Sequence, residues 1–215
     1  MRRRLVLLTA VLTVILVASA PTAQAGAVLP YNSHPRGHSY PDWLRMVGQW
    51  FLGDSSNPLL AGLLEGDCGE LMDGVFFMAA PIDLGVEFEC DVPVGTPIVL
   101  SHAGFFTTEG IDGDTDEELQ AAAEAGFTFT SNSLTLDGAS LPLQAINAGV
   151  FDVISEPGSF YDVIVGVGTG SIRTALVGNV VFLHPLRPGD HVIESEVTFT
   201  GTGGAFSATY NIHVG

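Results

Sequence analysis

The sequence predicts a mainly β protein: an antiparallel β-sandwich, Ig-like or jelly-roll, with one or two short peripheral helices. Of its 215 residues, 47% are hydrophobic and 14% are charged, which excludes a disordered chain. The 26 glycines and 12 prolines exclude a helical bundle. From residue 74 onward, short segments alternate apolar and polar side chains between turn residues, as half-buried strands do.

The first 25 residues have the pattern of an export signal. Arginines at positions 2–4 precede an apolar run from Leu5 to Val17, and the small-x-small pattern Ala23-Gln24-Ala25 places the cleavage before Gly26. A membrane span needs about 20 apolar residues, so this run is too short for an anchor. We therefore expect a secreted, extracellular protein with no transmembrane segment after cleavage, exported by the Sec or the twin-arginine route.

After cleavage, we expect an extended N-terminal lead-in over residues 26–38 and a single domain over 39–215. The mature part keeps 24 acidic residues against four arginines, a net charge of −20. Nucleic-acid binding requires clusters of Lys and Arg, so the composition excludes an ordinary nucleic-acid binder. A glycan or a protein is the ligand class that this charge allows, and the oligomeric state stays open.

The first predicted helix runs from Ser39 to Leu52. Ser39 can cap it, and Pro41 lies in the first turn, where proline is tolerated. Trp43 and Trp50 belong to an apolar stripe at helical spacing. We expect this stripe to pack the helix on a sheet, and stacking on sugar rings is the alternative.

Strands follow the helix. Residues 74–80 form a continuous apolar run, residues 86–92 alternate apolar and acidic side chains, and residues 96–100 form the next predicted strand. A loop is predicted over 101–113. A second helix then runs from Asp114 to about Ala125, with its carboxylates in the first turn, where the helix dipole favours them.

The rest of the chain is predicted to be strand and turn. The shorter predicted strands are 127–130, 133–136, 141–144, 163–167 and 175–183. Two alternating segments, Ile193–Phe199 and Phe206–Val214, predict a closing hairpin with its apolar side chains inside the sandwich.

Cys68 and Cys90 are the only cysteines. In an exported chain two cysteines usually pair, and closing this short loop is worth about 3 kcal/mol in the chain-entropy model. A reactive thiol or a metal site is the alternative, although the chain contains no Cys-x-x-Cys motif. We predict a structural disulfide.

Three features together carry a resemblance: the helix with two tryptophans, the two cysteines, and the turn Val-Pro-x-Gly-Thr-Pro at 92–97. With the closing segment at 185–193, they resemble a family of exported bacterial β-sandwich proteins over about residues 40–215. The resemblance implies export and a sandwich fold. No activity is known for that family, so it implies no catalytic residue.

An acidic run offers a candidate calcium site at Asp112, Asp114 and Asp116. Alternating carboxylates can place several oxygens around one Ca²⁺. An EF-hand loop that starts at Asp112 requires Gly at position 117 and Glu at 123, and the chain has Glu117 and Ala123 instead. A solvated helix start is the alternative, and no other cofactor is expected.

The candidate catalytic residues are His102 with Glu87, Glu89 or Glu109. A histidine beside a carboxylate can act as a general base, and carboxylates across a cleft can hydrolyse glycosides. Carboxylates on one strand face are about 7 Å apart and flank no cleft by themselves, which favours a solvated face.

The sequence contains no nucleophile elbow and no phosphate loop. We therefore expect a non-catalytic protein with a binding or cell-envelope role. The alternative is a small secreted polysaccharide hydrolase or lyase that uses His102 and depends on Ca²⁺.

Overall fold

The computed structural model describes residues 26–56, 68–80, 84–201 and 204–215. In this part of the chain, two five-stranded sheets pack together with short helices beside them. The predicted β-sandwich with short peripheral helices is confirmed. The predicted export signal at 1–25 lies outside the described residues.

Ten strands are described. They are β1 (Gly69–Met72), β2 (Val75–Met78), β3 (Val86–Val92), β4 (Ile98–Thr108), β5 (Phe129–Leu136), β6 (Ala139–Ser140), β7 (Ala145–Ser155), β8 (Gly170–Leu183), β9 (Gly189–Phe199) and β10 (Ala205–Val214). Sheet 1 has the order β1-β2-β4-β8-β7, and sheet 2 has the order β3-β10-β9-β5-β6. Each sheet is antiparallel except for one parallel pair, β2 with β4 and β3 with β10.

Both predicted helices are present. Helix α1 (Tyr40–Gly48) begins with a capping box between Ser39 and Asp42 and continues into a π-helical turn at Gln49–Gly53. Helix α2 (Asp116–Gly126) begins with the equivalent box between Thr115 and Glu118. Across the described ranges, no helix is both long and apolar enough to span a membrane.

The two helices lie on opposite faces of sheet 1. Leu44 of α1 packs over Gly178 of β8, where an added Cβ would lie 3.1 Å from the leucine Cδ1. Leu119 of α2 clusters instead with Ala175 and Val177. Successive strand residues point to opposite faces, so α2 covers the face opposite α1, next to sheet 2. The layers are therefore α1, sheet 1 and sheet 2.

The tryptophan stripe serves the core, as predicted. The ring centroid of Trp43 lies 4.9 Å from that of Phe182 and 5.8 Å from that of Phe77, and Trp50 lies 5.9 Å from Phe77. Both tryptophans are 3% exposed. Their packing holds α1 and the turn after it on the outer face of sheet 1. Because both rings are buried, they cannot stack on a sugar ring in solution.

Three predicted segments are wrong. The loop predicted from residue 101 is strand as far as Thr108, because this apolar stretch pairs with β8. The strand predicted at 141–144 is irregular, since Pro142 has no backbone N–H for a sheet ladder, and β7 follows it. The strand predicted at 163–167 is largely a π-helical turn, Tyr161–Val165, because a short apolar run alone does not distinguish strand from helix.

The predicted disulfide is confirmed. Cys68, directly before β1, is bonded to Cys90 in β3, and their Cα atoms are 5.1 Å apart. The bond therefore joins sheet 1 to sheet 2. Both residues are almost fully buried in the main core.

Replacing Cys68 and Cys90 together by alanine is expected to lower the free energy of unfolding by about 3 kcal/mol, because the unfolded chain is then no longer closed into a loop. Urea unfolding measures this loss. Wild-type protein treated with a reductant is the control and should lose a similar amount. A loss below about 1 kcal/mol in both would contradict a stabilising bond between the sheets.

Candidate functional site

A β-bulge in the middle of β4 sets the directions of its side chains. The partners of Ser101 and Ala103 are adjacent residues of β8, so His102 is an extra residue in β4. Two consecutive side chains, His102 and Ala103, consequently point to the same face, toward sheet 2. Ser101 and Gly104, which flank them, both lie on the α1 face.

His102 lies in a buried hydrogen-bond network between the sheets. Its Nε2 donates to Asn132 Oδ1 of β5 at 2.6 Å, and its Nδ1 accepts from the Ser195 hydroxyl of β9 at 2.8 Å. Asn132 Nδ2 in turn donates to Asn179 Oδ1 of β8 at 2.9 Å. The network therefore includes two strands of each sheet: β4 and β8 of sheet 1, and β5 and β9 of sheet 2.

The network includes a serine, a histidine and an asparagine, which are residue types of an acyl-transfer site. His102 is 1% exposed and Ser195 is 3% exposed, so no substrate reaches the hydroxyl in this arrangement. Burial lowers the pKa of His102 to about 4, although the Asn132 hydrogen bond opposes this, so the ring is a weak base at neutral pH. The arrangement fits a polar tie between the sheets.

The predicted carboxylate partners of His102 lie elsewhere. Glu87 and Glu89 point from β3 to the outer, solvated face of sheet 2, where Glu89 accepts a hydrogen bond from Asn211 at 2.9 Å. Glu109 follows β4 and lies 3.8 Å from the Arg173 guanidinium on the surface. The structure therefore does not bring the predicted acid and base groups together.

The three candidate calcium ligands do not converge on a common point, and their contacts are with nearby backbone and side-chain groups. Asp112 accepts a hydrogen bond from the Thr108 N–H at 2.8 Å, and Asp116 forms an ion pair with Arg173. The backbone N–H of Asp114 donates to Glu118. In residues 26–56, 68–80, 84–201 and 204–215, no three His, Cys, Asp or Glu side chains form a group that could hold a metal ion.

A cavity of about 350 Å³ lies along the edge of β4. β2 pairs with β4 only from Ile98 to Leu100, and within the described residues no strand continues that pairing along Ser101–Phe106. The open strand edge forms one wall. The volume of the cavity falls in the range of small-molecule pockets, which is about 300–1,000 Å³.

The walls of the cavity are almost entirely apolar, with several aromatic rings. The lining residues come from α1 and its π-helical turn, from sheet 1, from the turn after β7, and from the facing ends of β9 and β10: Val47, Gly48, Trp50, Phe51, Leu52, Met78, Ala80, Ser101, Gly104, Phe106, Leu176, Phe160, Ile164, Phe199 and Phe206. None of these residues is charged. The rim includes Ile164, which is 50% exposed.

Two polar side-chain groups lie in this lining. The Trp50 indole N–H donates to the Glu70 carboxylate at 3.3 Å. Ser101 is 8% exposed, and its hydroxyl, which has no hydrogen bond to a described residue, is open to the cavity, because no sealed side-chain polar atom of the described residues lacks a partner. Ser101 is therefore the polar group that a ligand in the cavity could satisfy.

Sequence analysis missed most of this site. Alternation placed Phe199 and Phe206 inside the sandwich correctly, but it carries no information about which strand edges lack a partner. The available signal was Gly104, since an isolated glycine in an apolar strand indicates a bulge or a close approach.

A second depression, of about 280 Å³, lies on the outer face of sheet 2. Hydroxyl groups and carboxylates line it, including Ser133, Thr135, Glu194, Glu196 and Thr209. A glycan is one ligand class that the charge of the chain allows. Among its described lining residues there is no aromatic ring on which a sugar could stack.

Comparisons with known proteins add no function. No family model matches the chain, and no curated protein matches it. Among solved structures, the solution structure of amebosin aligns with 61% of this chain and 98% of its own, at 10% sequence identity and a TM-score of 0.17. A similarity this weak supports no conclusion. The resemblance to exported bacterial proteins stays a prediction.

The pKa of His102, about 4 in the folded protein against 6.5 ordinarily, predicts a loss of stability in acid. Between these pH values the unfolded chain binds a proton that the folded chain does not. The free energy of unfolding therefore falls by up to ~1.4 kcal/mol for each unit by which the pH is lowered. His102→Gln lacks this contribution. Its stability relative to wild type should rise from pH 6.5 to 4 in urea unfolding.

His213→Gln is the matched control, with the opposite sign. The His213 ring is exposed, and its hydrogen bond to Asp190 at 2.8 Å raises its pKa. That contribution is present in acid and is lost as the pH rises, so this variant should lose stability relative to wild type as the pH falls. The same pH dependence in both variants would contradict the assignment for His102.

Proposed function

We propose that the protein is an exported, non-catalytic binding protein that holds a small apolar molecule in the cavity along β4. The observation that carries the proposal is the cavity itself: about 350 Å³ with an aromatic and aliphatic lining and one hydroxyl without a described partner. Export is supported by the N-terminal sequence pattern and by the disulfide between the sheets.

An apolar space of this size favours occupation. Protein interiors are close-packed, with few voids larger than a water molecule. An engineered apolar cavity of about 150 Å³ stays dry and binds benzene, and this cavity is roughly twice as large. Removing its apolar surface from water stabilises a complex by about 25 cal/mol per Å². A ligand that fits gains this free energy without repacking the core.

The residues around the cavity support binding over turnover. Its described lining has no histidine and no carboxylate, and its hydroxyl has no base beside it. The polysaccharide hydrolase considered from the sequence requires His102 and a glutamate at one cleft. His102 lies between the sheets and the glutamates lie on the outer surface, so no observation favours that alternative.

Gly104→Leu tests the proposal by filling the cavity. A Cβ at this position would lie 3.5 Å from Leu176 Cδ1 and 3.9 Å from Ser101 Oγ, so a leucine side chain extends into the space that a ligand needs. We expect wild-type protein to bind the neutral fluorophore N-phenyl-1-naphthylamine saturably. Fluorescence titration should show at least a tenfold weaker affinity for the variant and a smaller loss for Gly104→Ala.

Ala145→Leu is the control. It adds the same side chain at an exposed position of edge strand β7, outside the cavity lining, and should bind like wild type. Thermal unfolding checks that each variant is folded. Equal affinity for wild type, Gly104→Leu and Ala145→Leu would place the probe elsewhere and contradict the proposal, as would no binding to wild type.

A further inference from the structure

We infer that the ligand is a neutral, unbranched amphiphile, with one aliphatic chain along the open edge of β4 and a hydroxyl, ester or amide group at Ser101. This inference rests on the proposed binding function and names the chemical class of its ligand. Three features of the cavity carry it: its length, its single hydroxyl, and its charge.

The cavity follows the strand. Its β4 lining runs from Ser101 to Phe106, which pair with Val180 and Leu176 of β8, so it spans four ladder steps, about 13 Å at the usual rise per residue. A volume of about 350 Å³ along that length leaves a narrow cross-section. Aromatic rings flank it on both sides, Phe51 with Phe160 at 5.1 Å and Phe199 with Phe206 at 6.2 Å between centroids. This shape fits a flexible chain or flat rings better than a compact polycyclic cage.

The bulge gives the cavity one polar point. In a strand without a bulge, Ser101 and Gly104 would point to opposite faces, because they are three residues apart and side chains alternate along a strand. With it, both line the cavity, and the Ser101 hydroxyl faces apolar surroundings without a described partner. The hydroxyl is open to the cavity, since no sealed side-chain polar atom of the described residues lacks a partner, so a ligand that displaces water here must replace the hydrogen bond to that water. A ligand oxygen at this point supplies that hydrogen bond.

The charge of the site selects a neutral head group. No lining residue in the described chain is charged, and the Glu70 carboxylate lies 3.3 Å from the indole nitrogen of Trp50 in the wall. The whole chain has 24 acidic and 7 basic residues. A fatty-acid carboxylate would lose its hydration here with no cation in the described lining to compensate. An alcohol, ester or amide also loses hydration, but the free-energy cost is much smaller because these groups are neutral.

The test is displacement of N-phenyl-1-naphthylamine from wild-type protein by n-alcohols from hexanol to tetradecanol. We expect the dissociation constant to fall about fourfold per added methylene, which corresponds to ~0.8 kcal/mol, until the cavity is full, and then to stay constant. Decanoate at pH 7 should bind at least tenfold more weakly than decanol. The compact alcohol 1-adamantanol should compete poorly.

Ser101→Ala tests the polar end. The variant should bind decanol three- to tenfold more weakly than wild type, the range expected from one neutral hydrogen bond, and n-octane equally well. An unchanged affinity for decanol would overturn the assignment of the head group to Ser101.

The two proposals fail in different ways. If Gly104→Leu blocks the fluorophore but alcohol affinity does not depend on chain length, or decanoate or 1-adamantanol binds as tightly as decanol, the cavity is a binding site and the ligand class is wrong. If wild type binds neither the fluorophore nor any alcohol, the proposed binding function is wrong as well as the ligand class.

Discussion

The extra residue His102 in β4 is the constraint on which the rest of the arrangement depends. It shifts the alternation of β4 by one residue, so that the residues after it point to the faces opposite to those that an unbroken strand would give them. One face then receives the histidine that joins the sheets through Ser195 and Asn132. The other receives Ser101 and Gly104, which leave room for the cavity instead of filling it.

Two links join the sheets beside the cavity, at the end of β2. The Cys68–Cys90 bond joins the two sheets there, and the Tyr210 hydroxyl of β10 donates to the Ala79 carbonyl at 2.7 Å. Tyr210 is fully buried, which makes this hydrogen bond inaccessible to water. Trp50, in the π-helical turn after α1, packs against Phe77 and contributes to the wall of the cavity. A site preformed in this way binds its ligand with little loss of conformational entropy.

The sequence was sufficient for the fold class, the disulfide, both helices and the closing hairpin, because each depends on local patterns: alternation, caps and two cysteines. It was insufficient for the site. The strand from 101 to 108 was taken for a loop because its bulge interrupts the alternation at His102. The open edge of β4 depends on where β2 ends. The presence of Phe160 and Phe206 in one cavity lining depends on long-range packing, which no single segment encodes.

The most direct test of this account is the set of intermolecular nuclear Overhauser effects between bound decanol and the aromatic rings of the protein. The account predicts that the methylene protons contact Phe106, Phe160 and Phe206, and that the carbon next to the hydroxyl lies near Ser101. Contacts confined to the outer face of sheet 2, near Ser133 and Thr209, would contradict it.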